Sequence, residues 1–328
     1  MEQVIVIGAG PCGLSAAVAL QRAGLSPLLI EKSSIVNAIY LYPTYLQFFS
    51  TPELLEIGDY PFITPHEKPY RQEALVYYGE VARREKLRIR SYEEVVDIEK
   101  LLNGFTVHTS DQFGNKSTYT SRYVIIATGY FDHPNLLGIP GEELPKVTHY
   151  YKEAHPYAGM KVAIIGGNNS AVDAAMDLVR VGADVTVLYR GSHFSSNIKP
   201  WVRPLFESMV NKGRIQMWFD SQVERIEEHS VIFRMGNKQA SLDNDFVLAL
   251  TGFRPDRKLL TALGVGIHEE TGAPIINTET METNIEGLYV AGVVASSKYD
   301  ANEIFIETGR MHGLAITQHI CAKRNLSL

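Results

Sequence analysis

The chain has 328 residues, too many for one ordinary domain and a comfortable number for two. Apolar residues make up 45% and charged residues 21%, the balance of a globular protein. The net charge is −6 with no long basic run, which argues against nucleic acid as a partner. No apolar stretch reaches the ~20 residues that span a bilayer, so a membrane partner is not expected either. The two cysteines, Cys12 and Cys321, are too few for a disulfide framework or a metal cluster, and no C-x-x-C occurs. The N-terminus lacks the basic segment and cleavage site of a secretory signal, so a cytoplasmic location is expected.

In chain order, an apolar run at residues 4–7 predicts a strand. Gly8, Gly10 and Gly13 then form a G-x-G-x-x-G turn that also holds Pro11 and Cys12. A helix is expected over 14–23 and a second strand over 27–30, ending at Glu31 with Lys32 beside it. Residues 33–69 are polar and aromatic and read as a ligand cover rather than a regular layer. A helix over 70–85 and strands near 87–90, 95–100 and 105–109 follow. A buried strand over 123–127 runs into Thr128 and Gly129. The opening arrangement then recurs: strand 161–165, the turn Gly166, Gly167, Asn168, Asn169, Ser170, Ala171, helix 172–181, and strand 185–189 ending at Arg190. A strand over 287–294 and one long helix over 303–321 close the chain. The fold class expected is α/β, with two Rossmann-like dinucleotide-binding domains.

The first turn has the complete context of a dinucleotide site. Gly8 permits the tight turn, Gly10 lets backbone approach a pyrophosphate, and Gly13 allows close helix–strand packing. The helix N-terminus offers N–H groups and partial positive charge to phosphates. Glu31 accepts from a ribose and repels a 2′-phosphate, so this site suits FAD or NAD. In the second turn Asn168 replaces the middle glycine, and Asn tolerates left-handed backbone. No acid ends its paired strand; Arg190 suits a 2′-phosphate, which points to NADPH. Lys199 and Arg203 are weaker candidates for the same phosphate.

These residues resemble the two-dinucleotide flavoprotein superfamily, which includes thioredoxin reductases, ferredoxin–NADP reductases of the same fold and flavin monooxygenases. The likeness covers nearly the whole chain. It extends to Ala127-Thr128-Gly129, Thr251-Gly252-Phe253-Arg254-Pro255 and the run 287–292 ending at Gly292. It implies FAD in the first site and an NADPH domain inserted in the FAD domain: residues 1–141 and 256–328 for FAD, 142–255 for NADPH. It further implies cofactor contacts at Thr128, Gly129, Gly252, Gly292 and Val293. Backbone N–H groups near Glu303 and Ile304 would face the flavin edge that gains negative charge on reduction.

Departures from the superfamily narrow the function. His149 and Lys152 stand where thioredoxin reductases carry their C-x-x-C, which rules out a dithiol relay. Glu143 and Pro145 break the monooxygenase signature. Val293 replaces the usual Asp after Ala-Gly, so a side-chain contact to the ribityl chain is lost there. The chain resembles the bacillithiol-disulfide reductase family (YpdA-like proteins). The shared strings are the first glycine turn, Phe48-Phe49-Ser50-Thr51, the Gly-Gly-Asn-Asn-Ser-Ala turn and residues 303–313. This resemblance implies NADPH-dependent reduction of a small thiol disulfide, a bacilliredoxin-type protein partner and a homo-oligomer. Cys12 is then the candidate redox thiol, its helix N-terminus favouring thiolate. Basic neighbours for an acidic disulfide are sought at Lys68, Arg71, Arg254 and Lys298. The alternatives are a ferredoxin or flavodoxin reductase and a non-catalytic redox sensor.

Overall fold

The computed structural model describes residues 1–297 and 304–326. By internal contacts the chain forms two units. Met1–Leu41, Leu46–His133 and Phe253–Leu328 make the first, and Tyr42–Tyr45 with Pro134–Gly252 make the second. The second is thus inserted in the first. Residues 134–141, expected with the first unit, belong to the second. Leu137 and Ile139 pack against its core, and the Pro140 carbonyl accepts the Ile226 N–H at 2.8 Å.

The first unit begins β1 (Glu2–Ile7), α1 (Pro11–Arg22), β2 (Pro27–Glu31). Helix α1 starts earlier than periodicity suggests because Pro11, preset in φ and lacking an N–H, fits the first helical position. The aromatic stretch carries two short helices, α2 (Asn37–Leu41) and α3 (Pro52–Leu55). Then come α4 (Arg71–Arg84), β3 (Arg88–Ser91), β4 (Glu93–Leu101), β5 (Gly104–Asp111) and β6 (Lys116–Ile126). The strands join one sheet in the order β3-β2-β1-β6-β5-β4. Strands β3, β2, β1 and β6 run parallel; β4 and β5 join as an antiparallel meander. Val4, Ile5 and Val6 are fully buried, as a central parallel strand requires.

The second unit holds β7 (Val147–Thr148), β8 (Lys161–Ile165), α5 (Asn169–Arg180), β9 (Asp184–Leu188), α6 (Arg203–Asn211), β10 (Gln216–Trp218), β11 (Ser221–Ile226), β12 (Ser230–Met235), β13 (Lys238–Asp243) and β14 (Phe246–Ala249). A parallel sheet, β10-β9-β8-β14-β7, is covered on both faces. Alternation along β8 decides the coverage. Val162 and Ile164 pack with helical Val172, Leu178 and Phe206, while Ala163 and Ile165 pack with Val223, Val231 and Phe233 of the antiparallel sheet β11-β12-β13.

The chain returns to the first unit through α7 (Lys258–Ala262) and β15 (Leu288–Val290), which adds parallel to β6. The long closing helix expected from sequence is two helices, α8 (Ile306–Gly309) and α9 (His312–Leu326). The break has a tertiary cause. The Arg310 carbonyl accepts the Ser15 hydroxyl at 2.7 Å, and the Arg310 guanidinium donates to the Glu56 carbonyl. Among the described residues no helix is long and apolar enough to cross a membrane.

Candidate functional site

The first glycine turn joins β1 to α1 in the first unit. Gly8 has φ +103°, and a Cβ there would lie 2.5 Å from the Ala127 carbonyl oxygen. A Cβ on Gly13 would fall 2.1 Å from the Gly8 carbonyl oxygen, so helix and turn meet backbone to backbone. Gly10 differs: a Cβ there would touch nothing within 4 Å. Its missing side chain is not filled by protein and leaves a cradle above the turn. No side chain caps α1. Its first-turn N–H groups keep the geometry that suits a phosphate.

Glu31 ends β2 below this turn. Its Oε2 accepts the Ala9 N–H at 2.8 Å and its Oε1 accepts the Ser33 N–H at 2.9 Å. Burial pushes the carboxyl above its ordinary value, and the two N–H donors oppose that shift. Each oxygen retains acceptor capacity for a ribose hydroxyl. Lys32 pairs with Asp132 at 2.5 Å. Thr128 lies against Gly8, and Gly129 turns the chain at φ +73°.

Cys12 is half-buried. Its sulfur lies 2.9 Å from where a Cβ of Gly292 would sit and 2.8 Å from that of Gly309. Burial, and next the Glu307 charge, push the thiol up to about 12. Both effects oppose the thiolate that the helix N-terminus is expected to favour. Gly292 turns at φ +77° and donates its N–H to His312 Nδ1 at 3.1 Å. Val293 follows in a short 3-10 turn and offers its carbonyl to Ser296. Ile304 is half-buried and precedes α8, whose N-cap is Phe305. Ile304, expected near the helix start, thus lies before the helix, and a four-residue helix carries little macrodipole. Glu303 and Lys298 lie outside the described residues. Arg71 is not a surface cation: it is buried and donates to the Ile39 and Tyr40 carbonyls.

The second glycine turn joins β8 to α5 in the second unit. Gly166 has φ +138°, and a Cβ there would reach within 2.4 Å of the Leu250 carbonyl oxygen. The space beside Gly167 is taken by the Tyr189 ring, 2.4 Å from a Cβ position. Asn168 is extended at φ −96°, so the turn makes no left-handed demand on it. Its Oδ1 instead accepts the Ser195 hydroxyl at 2.7 Å. Asn169 donates to the Asn197 carbonyl at 2.9 Å and accepts the Lys199 N–H at 3.0 Å. Segment 195–199 is thereby tied over the turn. Ser170 is exposed in the first turn of α5 and Ala171 is buried against the sheet. Arg190 is exposed and pairs with no acid among the described residues. Lys199 and Arg203 are occupied, with Asp173 at 2.9 Å and Glu207 at 2.6 Å. His149 is held by the Ala249 carbonyl and Glu142, a structural role. Gly252 turns at φ +88° against Asn135.

Sequence reasoning used Ser50, Glu307, Gly309 and Gly313 only as members of shared strings and gave none of them a role of its own. The signal was the four-residue spacing of Gly309 and Gly313: a Cβ on Gly313 would lie 2.5 Å from Ala16 Cα, where α9 crosses α1.

Two glycine turns, each placed between a parallel strand and an uncapped helix, define a protein with two dinucleotide sites. The chain belongs to the pyridine nucleotide-disulphide oxidoreductase family, whose model matches residues 5–292, and within it to the bacillithiol-disulfide reductase (Bdr, YpdA) group. It is 53% identical over 326 residues to "Bacilliredoxin reductase Bdr" of Bacillus subtilis (strain 168), covering 99% of each chain. Solved structures of bacillithiol disulfide reductase Bdr (YpdA) from Bacillus cereus and Staphylococcus aureus are also similar. They match at TM-scores of 0.96 and 0.93 with 52% and 46% identity, over 98% of this chain and 99% of each of theirs. The family is one of enzymes that use a flavin and a pyridine nucleotide.

Proposed function

We propose that the protein is an FAD-containing reductase that uses NADPH to reduce a low-molecular-weight thiol disulfide, with bacillithiol disulfide as substrate. The observation that carries the substrate is the full-length likeness to two solved bacillithiol disulfide reductases.

In this reading the first unit takes FAD. The pyrophosphate lies over Gly8, Gly10, Pro11, Cys12 and Gly13, and the adenosine ribose meets Glu31 beside Lys32. Thr128, Gly129, Gly292, Val293 and Ile304 complete the contacts, with Glu303 next to Ile304 in sequence. The open cradle at Gly10 and the spare acceptor capacity of Glu31 support this fit. The second unit takes NADPH over Gly166, Gly167, Asn168, Asn169, Ser170 and Ala171, near Gly252, with the 2′-phosphate on Arg190.

When bound, the flavin supplies two-electron transfer between the nicotinamide and a disulfide. The net reaction is NADPH + H⁺ + RSSR → NADP⁺ + 2 RSH. Cys12 acts by exchange. Its sulfur bonds to one sulfur of the substrate, the substrate S–S bond breaks, and the departing thiolate takes a proton equivalent to the one Cys12 gives up. The NADPH-derived electron pair then cleaves the mixed disulfide. The reading also assigns a bacilliredoxin-type protein as a partner, a homo-oligomer and a cytoplasmic location, where NADPH is made.

The test follows NADPH oxidation anaerobically with bacillithiol disulfide for wild type and Cys12→Ala. Turnover by wild type and its loss in the variant are expected. Full turnover by Cys12→Ala removes that residue from the mechanism. No turnover with any small disulfide, beside rapid ferredoxin reduction, overturns the function; NADPH binding with neither activity points to a sensor.

A further inference from the structure

Helix α8 lies against α1, α3 and the 3-10 turn Gly292–Ala295. A Cβ on its Gly309 would come within 2.8 Å of Cys12 Sγ and 2.9 Å of Gly292 Cα, so α8 closes on the first glycine turn. The same helix carries Glu307. The Ser50 hydroxyl donates to Glu307 Oε1 and fixes the carboxylate. Its Oε2 is buried and has no hydrogen-bond partner among the described residues. Donors close by are used elsewhere: Arg310 donates to the Glu56 and Glu307 carbonyls, and the Gly292 N–H donates to His312. A carboxylate oxygen withdrawn from water without a donor is costly, and a ligand that brings an O–H offsets that cost. A second observation lies in the turn that α8 covers. Val293 follows Gly292 there and has no side-chain acceptor to offer.

We propose that Glu307 is a flavin-binding residue: its free carboxylate oxygen accepts a hydrogen bond from a ribityl hydroxyl of FAD, in place of a side chain that Val293 cannot supply. The inference rests on the reading of the first unit as the FAD site. The ribityl chain joins the pyrophosphate to the flavin ring, so its hydroxyls come next along the cofactor after the phosphates. Glu307 stands at the matching place, on the helix that packs beside the turn assigned to the pyrophosphate. A carboxylate fixed at one oxygen by Ser50 presents the other in a set direction, which suits a single hydroxyl donor.

The experiment measures FAD binding to the flavin-free full chain by fluorescence quenching. It uses FAD and three analogues that lack the ribityl hydroxyl at C2′, C3′ or C4′. Wild type should bind one of the three about ten- to hundredfold more weakly than FAD, the range of a hydrogen bond to a charged group. Glu307→Leu should weaken FAD by the same factor and bind that analogue as well as FAD, so the two losses do not add. Its flavin-free melting temperature should not fall below wild type, because the substitution removes a buried oxygen that has no partner. Ser50→Ala, which loosens the carboxylate without removing it, should give a smaller loss. Infrared spectra of wild type loaded with FAD and with that analogue should differ in a carboxylate stretch. Additive losses for all three analogues overturn the inference. Should Glu307→Leu not fold, an unmoved carboxylate band overturns it instead. A wild-type chain that binds no FAD defeats the underlying cofactor reading, and the inference with it.

Discussion

Glu31 does two jobs in one position. Its carboxylate satisfies the N–H groups of Ala9 and Ser33, and it marks the end of the strand beneath the first turn. Glu31→Ala leaves both donors without that acceptor, so urea unfolding of the flavin-free protein should show a loss of about 1–3 kcal/mol. The desolvation that raises its pKa offsets part of the gain in wild type, which keeps the figure at that modest size. Arg190 is the counterpart, exposed and with no ion pair among the described residues. Arg190→Ala should leave the melting temperature unchanged and raise the KM for NADPH but not for NADH. Equal effects on the two nucleotides would defeat the phosphate assignment. Both residues were legible in the sequence, because each stands at the end of a strand that its own neighbours define. The environment of Cys12 was not. Its place on α1 is local information, but the residues packed against its sulfur, Gly292 and Gly309, and the charge that acts on it, Glu307, come from the far end of the chain.

At the scale of elements, the strand–turn–helix–strand runs were readable because apolar periodicity and glycine spacing are properties of short segments. What escaped was tertiary. The β11-β12-β13 sheet has exposed, charged positions along one face and buries few residues per strand, so its pattern is faint. The division between α8 and α9 is imposed by Ser15 and Glu56, not by a proline or a cap. The glycines of the first turn separate folding from binding in a testable way. Gly13→Ala drives a Cβ against the Gly8 carbonyl, backbone on both sides, and nothing flexible gives way. It should lower the melting temperature of the flavin-free chain by several degrees, since an overpacked contact costs about 1–3 kcal/mol. Gly10→Ala meets only open space. Its flavin-free chain should melt with wild type, yet bind FAD more weakly because the new methyl fills the cradle. Unchanged FAD affinity in Gly10→Ala, measured by flavin fluorescence quenching, would place the pyrophosphate elsewhere.

On the scale of the molecule, each unit has its own parallel sheet, its own buried core and its own glycine turn. A ligand that binds only the native form of one unit stabilises that unit by RT ln(1 + [L]/Kd), about 2.7 kcal/mol at a hundredfold excess over Kd. The two cofactors should therefore act on different parts of the unfolding curve. Calorimetry of the flavin-free chain should resolve two transitions, with FAD raising one and NADP⁺ the other. Arg190→Ala should blunt the NADP⁺ shift and spare the FAD shift; Glu31→Ala should do the reverse. The sequence carries this division in its repeated turns 158 residues apart, but not the boundary, because residues 134–141 look like linker until Ile226 and the core beside it claim them. If one transition moves as a whole with either ligand, the units unfold as a single cooperative block, and the assignment of one nucleotide to each must rest on the two point variants alone.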